Sequence, residues 1–204
     1  MVKNQIRSRG ITDGRILEAM RRIPREEFVS GNASSNPYGD YPLPIGHGQT
    51  ISQPYIVALM TELLSLRGHE TVLEVGTGSG YQTALLAELA DTVYTVERVP
   101  ALLRRSREIL SDLGYENIEY KIGDGSEGWP EHAPYDGILV TAAADRLPKE
   151  LKGQLADNGT LVIPIGDHRT YQVLHVIRRR GNHFETDESI GCRFVPLISD
   201  TPGS

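Results

Sequence analysis

The chain has 204 residues, a net charge of −6, and 39% apolar and 24% charged residues. That length suits one large domain, and the acidic balance argues against a general nucleic-acid binder, whose surface is usually basic. One cysteine, Cys192, excludes an intrachain disulfide and a multi-cysteine metal site, which fits a reducing compartment.

No apolar run approaches the ~18 residues of a membrane span, and Met1-Val2-Lys3-Asn4-Gln5 lacks the apolar core of a secretion signal. A cytoplasmic monomer is expected, with no membrane or nucleic-acid partner. Arg104-Arg105 and Arg178-Arg179-Arg180 are read as solvated helix and strand-end faces.

In chain order, Thr12 or Asp13 can cap a helix whose apolar positions are Ile16, Leu17, Met20 and Ile23, and Pro24 suggests its end. Residues 31–42 are dense in turn formers and read as a cover loop. Ser52 stands where a second helix should be capped, with Pro54 in its first turn. Ile56, Leu59, Met60, Leu63 and Leu64 give that helix one apolar face, and Gly68 is a natural stop.

Strands are then expected at 71–75, 92–97, 118–123, 136–142 and 159–165, with helices at about 80–90, 100–113 and 148–156. This alternation predicts an α/β fold with a doubly wound, mostly parallel sheet covered on both faces. Two last strands, 171–179 and 190–197, are expected as an antiparallel pair at the sheet edge. The expected organisation is one domain over 1–204: a helical cap and cover loop in 1–50, and a cofactor-binding core in 51–204.

The most informative stretch is Glu74-Val75-Gly76-Thr77-Gly78-Ser79-Gly80-Tyr81-Gln82, between an apolar strand and a helix. Glycine permits sharp turns and close approach of a ligand, and the helix start behind the loop offers free N–H groups. Dinucleotide sites favour G-x-G-x-x-G around a pyrophosphate, whereas this loop is G-x-G-x-G with Glu74 two residues ahead of it. An acidic neighbour suits a cationic ligand such as S-adenosyl-L-methionine and does not suit a pyrophosphate. Glu97 ends the next strand, where a carboxylate can accept from both ribose hydroxyls, and Asp124 ends the third, at the adenine edge. Each of these acids alone could be a strand-end cap. Three of them at the carboxyl ends of successive strands favour a methyl-donor site, since ligands of open α/β sheets bind at that edge. Gly76, Thr77, Gly78, Ser79 and Gly80 are the loop's candidate cofactor contacts. Asn36-Pro37-Tyr38 lies before the first core strand and reads as an ordinary turn, not as the base-methylating loop that follows a fourth strand.

A second unusual run is Pro44-Ile45-Gly46-His47-Gly48-Gln49-Thr50-Ile51-Ser52-Gln53-Pro54. Its segment 48–54, residues 17–24 and 72–82, Gly123-Asp124-Gly125 and Arg193-Phe194-Val195-Pro196-Leu197 together resemble the protein-L-isoaspartate (D-aspartate) O-methyltransferases over nearly the whole chain. The glycine loop alone would indicate only a methyltransferase fold. The resemblance implies methyl transfer from S-adenosyl-L-methionine to the free carboxylate of L-isoaspartyl or D-aspartyl residues in damaged proteins. The ester then cyclises to a succinimide, whose hydrolysis returns some normal aspartate.

By the same resemblance, Ser52 matches the active-site serine, and Thr50, Ile51 and Gln53 match residues lining the cofactor and substrate site. Glu97 and Arg98 match the ribose position and its neighbour, and Asp124 and Gly125 the adenine region. Val195, Pro196 and Leu197 are candidate substrate walls, as is the run from Tyr38 to Ile45. Ile198 stands where some members have a threonine, and some members carry a further C-terminal helix.

The chemistry is consistent with these residues. An acceptor carboxylate with a pKa near 4 is already ionised at neutral pH, so no general base is required. His47, between two glycines, reads as a loop residue. Attack of an anion on a sulfonium cancels charge, so neutral donors and in-line alignment serve better than a strong arginine clamp. A methyltransferase for a small molecule or RNA, and a cofactor-binding protein without catalysis, are the competing readings. A matched pair of isoaspartyl and aspartyl peptides separates them.

Overall fold

A computed structural model describes residues 1–29, 36–167 and 169–200. The expected turn residues Gly31–Ser35 therefore lie outside the described residues.

The chain opens with a short helical turn, Val2–Ile6, that buries Val2 and Ile6. Helix α1 (Gly14–Arg22) follows, capped by the Asp13 carboxylate, which accepts from Arg15 N at 2.8 Å. A short hairpin, β1 (Leu43–Gly46) and β2 (Gln49–Ile51), precedes helix α2 (Pro54–Leu64). The hairpin was not expected from sequence. Its turn is made by Gly46, His47 and Gly48, all at positive φ.

Then come β3 (Thr71–Val75), α3 (Tyr81–Ala87), β4 (Thr92–Glu97), α4 (Pro100–Asp112), β5 (Ile118–Ile122), β6 (Tyr135–Val140), α5 (Lys149–Gly153) and β7 (Leu155–Ile165). The hairpin of β8 (Gln172–Arg180) and β9 (His183–Cys192) completes the sheet.

Three expectations change. Helix α2 begins at Pro54 with Gln53 as its cap residue, so Ser52 is not the cap. A residue before proline is held extended, which moves the helix start past Gln53. The same helix ends at Ser65, in the left-handed region, rather than at Gly68. The last strand spans 183–192 rather than 190–197. The two-residue turn Gly181-Asn182, with Gly181 at φ 59°, closes a tight hairpin directly after β8. Residues 193–197 instead cross the end of the sheet, tied to Ala143 by Ala143 N to Val195 O (2.8 Å) and Leu197 N to Ala143 O (2.7 Å).

The seven strands lie in the order β5-β4-β3-β6-β7-β8-β9. The first five are parallel, and β8 and β9 are antiparallel. The chain leaves β3 toward β4 and β5, then returns to place β6 on the other side of β3. That reversal opens a crevice at the carboxyl ends of β3 and β6, where ligands of such sheets bind.

Side chains alternate between faces along each strand. Val72 and Val93 face the core shared with α1, α2, α3 and α4, while Leu73, Val75 and Val96 face the core shared with α5. Ile6, Ile11, Ile16, Met20, Ile23 and Phe28 belong to the first of these cores, so the N-terminal segment packs as part of the domain. Among the described residues no helix is long and apolar enough to cross a membrane.

Phe28 is fully buried and meets Tyr81, the first residue of α3, edge to face at 5.5 Å. Phe28→Ala is expected to lower stability by about 3–5 kcal/mol while keeping a single unfolding transition in chemical denaturation. A separate early transition for the N-terminal segment would contradict a shared core.

Candidate active site

A cavity of about 410 Å³ occupies the crevice at the carboxyl ends of β3, β4 and β6. Three groups of residues enclose it. The first is the glycine loop, with Gly76, Thr77, Gly78 and Ser79 on the wall; the second is Gln49 to Gln53; the third is Gly191 to Ile198.

The loop is held in a shape that only glycine adopts easily. Gly76, Gly78 and Gly80 have φ of 96°, 52° and 88°. A Cβ on Gly76 would also lie 2.3 Å from Thr141 Oγ1. That hydroxyl lies within hydrogen-bond distance of Gly76 O (2.7 Å) and Val75 O (3.0 Å), and so fixes the loop to the end of β6. Thr141 lines the cavity, although no local motif marks it. Its place at the carboxyl end of a strand beside the crevice was the available signal.

On the other side, Glu97 Oε2 accepts from Gly78 N and Oε1 from Val99 N, both at 2.8 Å. Glu97 is nearly buried on the cavity wall. A carboxylate has about four acceptor positions, so two remain for ligand hydroxyls.

Glu74 is placed differently from the sequence expectation. It is fully buried and is not among the lining residues. Its position in β3 turns it to the α3 face, where Thr83 Oγ1 (2.6 Å) and Thr95 Oγ1 (2.7 Å) donate to Oε2. Thr77 Oγ1 lies 2.7 Å from Thr95 Oγ1, which extends this chain of bonds into the loop. Glu74 thus braces the loop from beneath and has no direct face on the cavity.

Gly80 also leaves the wall. It caps α3, and a Cβ there would press on Ser106 at 3.0 Å and Leu110 at 3.3 Å, so its smallness serves helix packing. Asp124 lies behind the wall, with Oδ1 accepting from Ser126 N and Oγ, and Oδ2 from Asp200 N. Gly125 does line the cavity and sits against β3, where a Cβ would be 2.4 Å from Val75 Cγ1.

Arg98 lines the cavity as well, and its guanidinium pairs with Asp200 at 2.6 Å. Thr50, Ile51, Ser52 and Gln53 face the loop from the opposite wall, and Val195, Pro196 and Leu197 complete the enclosure. Tyr38 lies outside the wall and bonds Glu26; of the run from Tyr38 to Ile45, only Pro42 lines the cavity.

No described lining residue is a histidine, and His47 is exposed in the β1–β2 turn. Burial pushes the Cys192 thiol up to about 11, so that lining residue stays a thiol. Among the described residues no cluster of side chains could hold a metal ion.

The model of the family described as Protein-L-isoaspartate(D-aspartate) O-methyltransferase matches residues 1–201. The chain belongs to this family. A member from Pelobacter propionicus (strain DSM 2379), named Protein-L-isoaspartate O-methyltransferase 1, is 55% identical over 97% of this chain and 94% of its own. A Plasmodium falciparum structure named as a protein-L-isoaspartate O-methyltransferase, in complex with S-adenosyl-L-homocysteine, has TM-score 0.80 and 29% identity, and the match covers 94% of each chain. A further solved protein-L-isoaspartate O-methyltransferase has TM-score 0.85 and 28% identity; the match covers 95% of this chain and 64% of that one.

Burial raises the Glu74 pKa to about 8, the threonine bonds oppose the rise and the charge of Glu97 adds to it. A group whose folded pKa lies above its unfolded value stabilises the fold at low pH, and that contribution fades as pH rises through the folded pKa. Stability of the wild-type chain should therefore fall from about pH 5 toward pH 8 on account of this carboxyl. Glu74→Gln is expected to flatten the fall, so that the melting-temperature difference, variant minus wild type, grows with pH across that window. A difference independent of pH would mean that Glu74 is ionised throughout.

Proposed function

We propose that this chain transfers a methyl group from S-adenosyl-L-methionine to the free carboxylate of L-isoaspartyl residues, and of D-aspartyl residues, in damaged proteins. One observation carries the reading. The chain belongs to the isoaspartate methyltransferase family along residues 1–201, and its Thr50-Ile51-Ser52 segment faces the glycine loop across one cavity.

The cavity suits the donor. Its volume lies within the ~300–1,000 Å³ typical of small-ligand sites. Gly76, Thr77, Gly78 and Ser79 would let the backbone approach the ligand closely, and Glu97 would take the ribose hydroxyls on its two remaining acceptor positions. Arg98 and Gly125 would border the adenine end, with Asp124 behind them. Thr50, Ile51 and Gln53 would close the opposite side. When bound, the donor supplies a methyl group on a sulfonium centre.

The protein's own part is alignment. The acceptor carboxylate arrives ionised, and no histidine among the described lining residues stands ready as a base. Ser52, half-buried on the wall, would offer a neutral hydroxyl donor that orients the carboxylate while leaving most of its charge for attack. Val195, Pro196 and Leu197 would hold the peptide around it. Damaged sites occur in many sequences, so the peptide would be held mainly through its backbone and the unusual carboxylate.

We read the chain as a cytoplasmic monomer with one methyltransferase domain. Three segments of the chain line the cavity, the net charge is −6, and Cys192 has no second cysteine in the chain to pair with.

The deciding experiment supplies labelled S-adenosyl-L-methionine with matched isoaspartyl and aspartyl peptides. Base-labile label in the isoaspartyl peptide only is expected, and label in neither would sink the reading. Because Ser52 does not cap α2, Ser52→Ala should leave the melting temperature nearly unchanged while lowering turnover by about 100-fold. Full turnover in that variant would remove Ser52 from catalysis.

A further inference from the structure

Arg25 is fully buried, an unusual place for a guanidinium. It follows α1, in the turn Arg25–Phe28. Its Nε donates to Pro37 O at 2.8 Å and its Nη2 to Ser52 O at 2.7 Å. Its Cζ lies 4.6 Å from the centre of the Tyr81 ring, a cation–π distance. Nη1 is buried with no hydrogen-bond partner. No described carboxylate forms an ion pair with Arg25; its hydrogen bonds go to two carbonyls, its face lies on the Tyr81 ring, and Asp40 acts on its charge from farther away.

A buried, unpaired cation works against stability, and an apolar residue of similar size would suit the core better. What Arg25 provides instead is a connection. Pro37 belongs to the segment before β1, Ser52 lies between β2 and α2, and Tyr81 begins α3 behind the glycine loop. Among the described residues no other group forms a hydrogen bond with Ser52. The Ser52 carbonyl is therefore anchored from behind, which sets the direction of its side chain on the cavity wall. The guanidinium forms no ion pair with a described carboxylate, Asp40 acting on it only at longer range, and it stands behind Ser52, the residue read above as orienting the acceptor.

We propose that Arg25 is a positioning residue for carboxyl methylation: it acts through Ser52, anchoring the serine's backbone and adding a positive field behind it, without touching donor or acceptor. The proposal rests on the isoaspartyl reading above. It assigns Arg25 chiefly to the acceptor side of the site through Ser52, so the loss of kcat should far exceed any loss of donor affinity.

The test compares wild type, Arg25→Lys and Arg25→Met in steady-state kinetics with an isoaspartyl peptide. Melting temperature and affinity for S-adenosyl-L-homocysteine, measured by calorimetry, accompany the kinetics. Arg25→Met, which removes both the fork and the charge, should lower kcat by about 100-fold, and Arg25→Lys, which keeps the charge, by about 10-fold. S-Adenosyl-L-homocysteine affinity should stay within about 3-fold of wild type in both variants. Should Arg25→Met fail to fold, the Lys variant carries the same comparison.

Unchanged kcat would overturn the proposal. So would losses of kcat that run in parallel with losses of donor-side affinity and melting temperature, since those mark a merely structural residue. A wild-type protein inert toward both peptides would instead overturn the isoaspartyl reading itself, and the role of Arg25 with it. That outcome is visible before any variant is compared.

Discussion

A buried carboxyl group underlies the whole site. Glu74 has no exposed surface, yet it sits where β3 gives way to the glycine loop. Its bonds to Thr83 and Thr95 join the first helix behind the loop to the neighbouring strand, and the Thr95–Thr77 contact carries that link into the loop. Two clamps act from the sides: Glu97 on Gly78 N from β4, and Thr141 on Gly76 O from β6. The loop is thus gripped by both neighbours of β3, at the place where the sheet reverses its winding. Such fixed positions suit a site that must hold a donor in line with an acceptor, since alignment is most of what this chemistry asks of the protein.

The second wall comes from a different part of the chain. Residues 43–54 form a small hairpin and the start of α2, and Pro54 places the helix start beyond Ser52. A serine used as a helix cap would aim its hydroxyl at helix N–H groups. Released from that task, Ser52 can face the cavity. The N-terminal segment keeps this wall in place through burial of Phe28 against Tyr81 and of Arg25 against the Ser52 carbonyl. The segment 193–198, pinned to Ala143, closes the third side. Donor and acceptor walls are therefore separate in sequence but share one core.

Much of this was legible beforehand. The parallel strands read correctly because apolar runs bounded by turn formers leave few alternatives once helices alternate with them. The glycine loop and the acids at strand ends marked the crevice, since ligands of such sheets bind there whatever the fold's function. Other features depend on contacts that spacing does not report. Alternation along β3 turns Glu74 to the α3 face, but only its bonds to Thr83 and Thr95 show that it braces the loop from beneath instead of lining the wall. Asp124 likewise spends its oxygens on Ser126 and Asp200, the latter 76 residues away. The last strand, expected at 190–197, lies at His183–Cys192, where most residues are exposed and the apolar alternation that marks a strand is missing. Thr141 and Arg25 act through carbonyls of distant segments and carry no local signature.

A crystal structure with S-adenosyl-L-homocysteine and an isoaspartyl peptide is the most direct measurement of the two-walled cavity. The ribose hydroxyls should lie on Glu97, the sulfur should face Ser52, and the isoaspartyl carboxylate should sit between that sulfur and the Ser52 hydroxyl. A ligand bound outside the crevice, or a sulfur directed away from Ser52, would contradict this arrangement.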